Sequence, residues 1–155
     1  MKSMKRRSFE GGFSLIELLI VMAIIGVLAG IAFQQFQGSV RKANEAAAVA
    51  AISTIKLAQA KYQIDHKQYA TFPQLFDAGY LDKRFNAETP RDRGYVFEIT
   101  LVDDGARTSA TFKVNANPES ASGMGATGKI FYYSEPDAPI FFSDKGPASA
   151  DDKIL

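Results

Sequence analysis

Glu17 is the only ionisable residue in the 21-residue run from Phe13 to Phe33, and Lys2, Lys5, Arg6 and Arg7 stand just before that run. A carboxylate in so apolar a setting has one evident chemistry, which is pairing with a cation. A bond broken just before Phe13 would supply one, because the new α-amine has an unperturbed pKa of about 8 and is largely protonated at neutral pH. Glu17 lies four residues further on, about 6 Å along a helix. The amine of one chain and the carboxylate of its neighbour would then fix the axial register of apolar helices. The remaining reactive inventory is thin, with one histidine, His66, and no cysteine or tryptophan. That excludes thiol nucleophiles, disulfides and cysteine-ligated metals. No nucleophile elbow, phosphate-binding loop or H-E-x-x-H pattern is present.

The element that must position Glu17 is membrane-span length. A secretory signal has an apolar core about half as long and then a small-residue cleavage site, whereas this run passes through Met22, Gly26 and Ala32 into Gln34-Gln35-Phe36-Gln37. A core helix apolar on every face needs a larger globule than the rest of the chain supplies. The four basic residues predict that the leader stays in the cytoplasm and that everything after Phe33 is extracytoplasmic. One carboxylate in such a span costs about 2.5–3.5 kcal/mol at the bilayer centre and less near an interface, so a partner for it is expected. Gly26 and Gly30 form a G-x-x-x-G spacing that lets apolar helices approach closely.

The residues Gly11-Gly12-Phe13-Ser14-Leu15-Ile16-Glu17-Leu18-Leu19-Ile20-Val21, continuing through Ala23-Ile24-Ile25-Gly26, closely resemble the prepilin leader and first helix of type IV pilins and type II secretion pseudopilins. The resemblance implies that a prepilin peptidase cuts between Gly12 and Phe13 and methylates the new terminus on Phe13. It also makes Glu17 the glutamate that pairs with a neighbouring amino terminus. The close likeness covers roughly residues 11–33, and a looser one extends over the following helix. Many pilins carry a proline just after the apolar run, where this chain has Gln34.

Beyond Val40 the chain is rich in alanine around Val40, Ile52, Ile55 and Tyr62, which predicts that the apolar helix continues to about Asp65, some 53 residues and roughly 80 Å in all. Arg41 and Glu45 are spaced for a surface ion pair on it. Pro73 and Gly79 bracket a short helix after the loop at Tyr69. Residues 87–93 read as a polar loop. Tyr95, Phe97, Ile99 and Leu101 alternate with Val96, Glu98, Thr100 and Val102 as in a strand, Asp103-Asp104-Gly105 turns the chain, and Thr108, Ala110, Phe112 and Val114 share a face of the returning strand. Two further strands, at 129–133 and 140–142, complete an expected four-stranded antiparallel sheet laid on the helix, with a mobile tail after Ser143. The fold class is α+β, organised as a leader over 1–12, a transmembrane or filament-core helix over 13–33, its continuation over 34–66 and an extracytoplasmic head over 67–155.

The first twelve residues carry a net charge of +3 and the other 143 a net of −2, so no basic surface for nucleic acid is expected. His66 reads as a helix-end residue interacting with the final carbonyls. Asp137, Asp144, Asp151 and Asp152 are oxygen donors suited to calcium but lack its loop spacing and read as solvated turn and tail carboxylates, so no cofactor is expected. The 12 Phe and 6 Tyr fall at core-like positions and are assigned to burial. The expectation is a non-enzymatic filament subunit, a homo-oligomer assembling with other pilins or pseudopilins. Its expected partners are prepilin peptidase, an inner-membrane assembly machinery and, before assembly, membrane lipid. The loops at 87–93 and 117–127 are the expected outer contacts. The alternatives are a secretion pseudopilin, an unprocessed single-pass protein with an extracytoplasmic binding domain, and, third, an extracytoplasmic enzyme.

Overall fold

A computed structural model describes residues 12–103, 109–119 and 131–155. Helix α1 spans Leu15–His66 and α2 spans Phe72–Asp77, followed by a short 3-10 turn at Lys83–Phe85. The strands are β1 Arg91–Asp92, β2 Tyr95–Asp103, β3 Ser109–Pro118, β4 Phe131–Ser134, β5 Phe141–Ser143 and β6 Lys153–Ile154. They form one sheet in the order β1-β2-β3-β4-β5-β6, every neighbouring pair antiparallel. The α+β class therefore holds. The sheet has six strands where the sequence predicts four, because β1 lies inside the expected loop at 87–93 and β6 inside the expected tail. The turn at Asp104-Gly105 and residues 120–127 of the second loop lie outside the described residues.

Among the described residues, those up to Phe36 and those from Gln37 onward are two separate units. In the second unit, α1 buries Ala48, Ala51, Ile52, Ile55, Ala58, Gln59 and Tyr62, a spacing of three and four that defines one helix face. That face meets the alternating residues Tyr95, Phe97, Phe112, Val114, Ala116 and Tyr132 of the sheet in a single core, with Phe72, Leu75 and Phe85 closing one side. The pairing Phe97↔Ala116 and Ile99↔Val114 keeps the apolar set of both strands on the same side. The opposite side carries a second, small cluster in which Tyr133 and Phe141 pack with Ala148. The segment expected to be a mobile tail is thus held by Ala148 and by the β5–β6 pairing.

A buried polar clamp closes the end of the core. The Gln59 amide is fully buried and bonds Ala70 twice, its Nε2 donating to the Ala70 carbonyl at 2.6 Å and its Oε1 accepting from the Ala70 N–H at 2.9 Å. The pairing satisfies the backbone of a loop that has no ladder partner. The left-handed Lys67, with φ of 59°, turns the chain out of α1 just before it, and Gly79, with φ of 77°, ends the α2 region. Gln59→Ala should cost on the order of 3 kcal/mol, because it opens a cavity and leaves two buried backbone groups unpaired. A urea melt of the full chain in detergent micelles checks this, and a loss below about 1 kcal/mol would mean water replaces the clamp.

Candidate functional site

Gly12, Phe13 and Ser14 are not helical, and α1 begins at Leu15. Phe13 is 89% exposed. The Ser14 carbonyl accepts from the Leu18 N–H at 3.2 Å, which makes Ser14 the residue that caps the helix. The Ser14 N–H in turn donates to Glu17 Oε2 at 2.9 Å. This is the carboxylate half of a capping box, in which an acidic residue three positions into a helix satisfies the backbone donor of the cap. The helix dipole favours a negative charge at the same place. Part of the cost of putting Glu17 in an apolar run is therefore offset within its own chain.

Sequence reasoning treated Glu17 as waiting for a neighbour and passed over Ser14, although the spacing Ser14-x-x-Glu17 signals the cap. The two roles are compatible. Glu17 Oε1 accepts no hydrogen bond among the described residues, so one oxygen can fix the helix start while the other faces an incoming cation. The cap also leaves the Gly12–Phe13 bond outside the helix.

α1 is the helix among the described residues that is long and apolar enough to cross a membrane, with a mean hydropathy of 2.7 over its most apolar stretch and none of that stretch buried. It continues through Gly26, Gly30 and Gln34 without interruption. A methyl group added at Gly26 or Gly30 would meet nothing within 4 Å in this chain. Each costs the helix roughly 0.5–1 kcal/mol relative to alanine, and no packing inside this chain requires either.

In the second unit, Glu45 does not form the expected ion pair with Arg41; it is half-buried and acts on Tyr95 and Tyr132 instead. Burial pushes the Tyr132 hydroxyl up to about 12, and the Glu45 charge adds to the shift. The Tyr95 hydroxyl is raised by burial and then by Tyr132 and Glu45, and it is buried with no hydrogen-bond partner. Lys56 donates from Nζ to the Ala138 carbonyl at 2.6 Å; burial lowers its pKa, and Asp137 partly offsets that. His66 ends α1 as expected and stacks on Tyr62 with ring centroids 4.1 Å apart. Among the aspartates considered for calcium, Asp152 accepts from the Ser149 N–H at 2.8 Å and from its hydroxyl at 3.1 Å, as a turn cap does. No three acidic or imidazole side chains converge on a metal-sized space among the described residues.

The prokaryotic N-terminal methylation motif matches residues 7–33, and the model for the type IV minor pilin ComP, DNA uptake sequence receptor, matches residues 35–127. The chain is 35% identical over 133 residues to the type II secretion system core protein G of Aeromonas hydrophila, covering 84% of this chain and 83% of that one. It is 31% identical over 125 residues to a fimbrial protein of Pseudomonas aeruginosa, covering 81% and 79%. A further relative is the type IV major fimbrial protein FimA of Dichelobacter nodosus, 31% identical over 118 residues, covering 71% and 76%.

The buried tyrosines set the alkaline limit of the head. Tyrosine gains charge on losing its proton, so an unfolded chain titrating at the ordinary tyrosine value of about 10 deprotonates before a folded Tyr132 held up at about 12. Stability should be unaffected by this group below about pH 10 and fall as the pH rises from there to about 12, because the unfolded state then binds fewer protons. Melting temperature against pH, read together with tyrosinate absorbance, checks it, and Tyr132→Phe should flatten the decline. A melting temperature constant to pH 12 would contradict the assignment.

Proposed function

The chain belongs to the type IV pilin and type II secretion pseudopilin family, and from that premise we propose that it is a structural subunit of a pilus-like filament, made as a membrane-anchored precursor and assembled through its N-terminal helix. The observation that carries the reading is an apolar helix of spanning length that nothing in its own chain buries, headed by the methylation motif. Such a surface of Leu, Ile and Val is stable in a bilayer or against other helices, and not in water. Removing it from water is worth about 25 cal/mol per Å², which supplies adhesion without direction. Direction comes from Glu17.

In this reading prepilin peptidase cuts between Gly12 and Phe13 on the cytoplasmic face of the inner membrane and methylates Phe13. The head is extracytoplasmic because Lys2, Lys5, Arg6 and Arg7 hold the leader inside. The inner-membrane machinery then draws subunits out of the lipid, and Gly26 and Gly30 let neighbouring helices close up in the polymer. The Glu17 carboxylate keeps its bond to the Ser14 N–H and offers its second oxygen to the Phe13 amine of the next subunit. No catalytic residue and no bound cofactor enters the mechanism.

Two relatives' roles stand as second readings. The core protein G likeness over most of both chains favours a secretion pseudopilus as the destination. The DNA receptor named in the matched minor-pilin model is the weaker of the two, because Arg84 is paired with Asp82 and Asp92, and Arg91 with Glu119, so two exposed cations of the head are already neutralised. Recovery of the chain in fibres sheared from cells favours the pilus, whereas secretion failure on deletion favours the pseudopilus.

Intact mass of the protein from its native membrane or filament fraction should show loss of residues 1–12 and gain of one methyl group. The unprocessed mass of an inserted protein would instead make it an anchored binding module. Glu17→Ala should leave membrane insertion intact and cut filament yield at least about tenfold, since stranding a desolvated amine without its counter-ion costs on the order of 3–5 kcal/mol. Sheared-fibre yield normalised to membrane content measures this, and wild-type yield would remove Glu17 from assembly.

A further inference from the structure

The turn that joins β4 to β5 has little of its own to hold it. Pro136 and Pro139 remove two of its backbone donors. Beyond the strand ladders, residues 135–139 make no backbone–backbone hydrogen bond among the described residues. Carbonyls in that state need partners from elsewhere. Ser134 is wholly buried, and its Oγ lies 3.2, 3.5 and 3.4 Å from the carbonyl oxygens of Glu135, Ala138 and Pro139. One hydroxyl carries one hydrogen, and these lengths are long for an O–H donor, so it serves three acceptors poorly. Three carbonyl oxygens gathered around one hydroxyl concentrate partial negative charge, which a cation relieves.

Lys56 supplies that cation from α1. Its Nζ donates to the Ala138 carbonyl at 2.6 Å, joining residues 82 positions apart in the sequence, and the bond has the short length of a charge-assisted one. Asp137 acts electrostatically on Lys56 and on Tyr69 alike, so its carboxylate faces the same ammonium. The Tyr133 hydroxyl donates to the Glu135 carboxylate and closes the turn from its other end. Ala138 is also where the turn meets the small cluster of Tyr133, Phe141 and Ala148. A path of direct contacts therefore runs from α1, through one ammonium, to the strands β5 and β6.

We propose that Lys56 is a built-in cation that latches the turn at residues 134–139, and with it β5 and β6, onto α1. The inference stands apart from the filament reading, since every group in it belongs to one head. A chain with no cysteine has no disulfide to staple this region, and a contact between segments so distant in sequence closes a long loop without one. Ile140 and Phe142 also pack on the main core, so the latch does not make the C-terminal strands fold; it sets how often they open. The main core keeps α1 against β2 and β3 through Ile52, Ile55, Phe97 and Phe112. Release of the latch is then a local opening, with the rest of the head intact.

Hydrogen exchange of the full chain in detergent micelles reads the head strand by strand. Lys56→Met keeps the apolar stem and removes the donors. It should speed exchange of the β5 and β6 amides at least about tenfold and leave those of β2 and β3 unchanged. Unchanged exchange in β5 and β6 would overturn the latch. Equal acceleration in all four strands would also overturn it, by making Lys56 a general stabiliser of the head. Lys56→Ala vacates the room of the outer stem and its ammonium, which propylammonium matches atom for atom. Propylammonium chloride should restore slow exchange in that variant where sodium chloride or propan-1-ol at the same concentration does not. Equal rescue by propan-1-ol, or rescue by neither, would overturn the role of the cation. If neither variant folds, isotope-labelled lysine spectra of the wild-type chain give the readout: a latched Lys56 shows a slowly exchanging ammonium signal, and its absence would refute the latch.

Discussion

Everything in this molecule answers to one constraint: about twenty consecutive apolar residues form a helix that their own chain leaves uncovered. Water is the one environment that helix cannot occupy, since Leu15, Ile16, Leu18 and Leu19 are each more than half exposed. A bilayer accepts it through non-specific burial, and so does a bundle of like helices. The energy of the two states is then nearly balanced, because lipid tails are as apolar as leucine. What tips such a balance is not more apolar area but a group that lipid serves badly. In the proposed filament Glu17 is that group. Its bond to the Ser14 N–H offsets part of its desolvation cost, and on the proposed reading its second oxygen takes a neighbouring ammonium. A carboxylate that was fully content where it stood would give no reason to leave, and one with no local partner would hinder insertion. The half-satisfied state is compatible with both stages.

The second half of α1 solves a different problem with the same backbone. From Ala48 to Tyr62 one face is committed to the sheet, where Ile52 and Ile55 are wholly buried. Each such side chain contributes roughly 1.5–3 kcal/mol. Alanine at 48, 51 and 58 keeps the helix close to strands bearing Tyr95, Phe97 and Phe112, so large rings on the sheet meet small residues on the helix. The core is aromatic because the sheet brings the volume. The Tyr95 hydroxyl is the residual cost of that choice, a buried donor with no partner, and the nearby Glu45 shows where the local field is directed. Gln59 is the opposite case, a buried amide with two bonds to the same residue.

How much of this was legible in the sequence depends on whether an element carries a period. Helix α1 was, because alanine content and apolar spacing persist for fifty residues. Strands β2 and β3 were, because Tyr95, Phe97, Ile99 and Leu101 alternate in one and Ala110, Phe112 and Val114 in the other, and the observed pairing Ile99↔Val114 keeps the alternation in step. Strands β1 and β6 were not, since two residues hold no period and exist only through their neighbours. The segment after Ser143 reads as a tail from its Gly, Pro and Ser, and what anchors it is one small residue, Ala148, against Tyr133 and Phe141. The Arg41–Glu45 spacing was visible, but spacing along a helix cannot weigh a solvated pair worth a few tenths of a kcal/mol against a tyrosine pocket built by distant strands. At the N-terminus the apolar run isolates Glu17 unmistakably, while its bond to Ser14 is signalled only by the short Ser14-x-x-Glu17 spacing.

The G-x-x-x-G pair and the alanine-rich second half of α1 follow the same logic at two depths. Gly26 and Gly30 are placed where this chain crowds nothing, and a helix tolerates the loss of stability only if another surface uses the space. Beyond Phe36 alanine takes over from glycine, and there the helix is held by the sheet and needs no further flexibility to approach a neighbour. Alanine keeps helix propensity at its maximum while still offering a low profile. A fibre subunit is under both demands at once, for a stiff helix and for a thin one. The composition of α1 changes along its length in the way that compromise requires: bulky aliphatics over the uncovered first part, and small residues where the helix packs on the sheet.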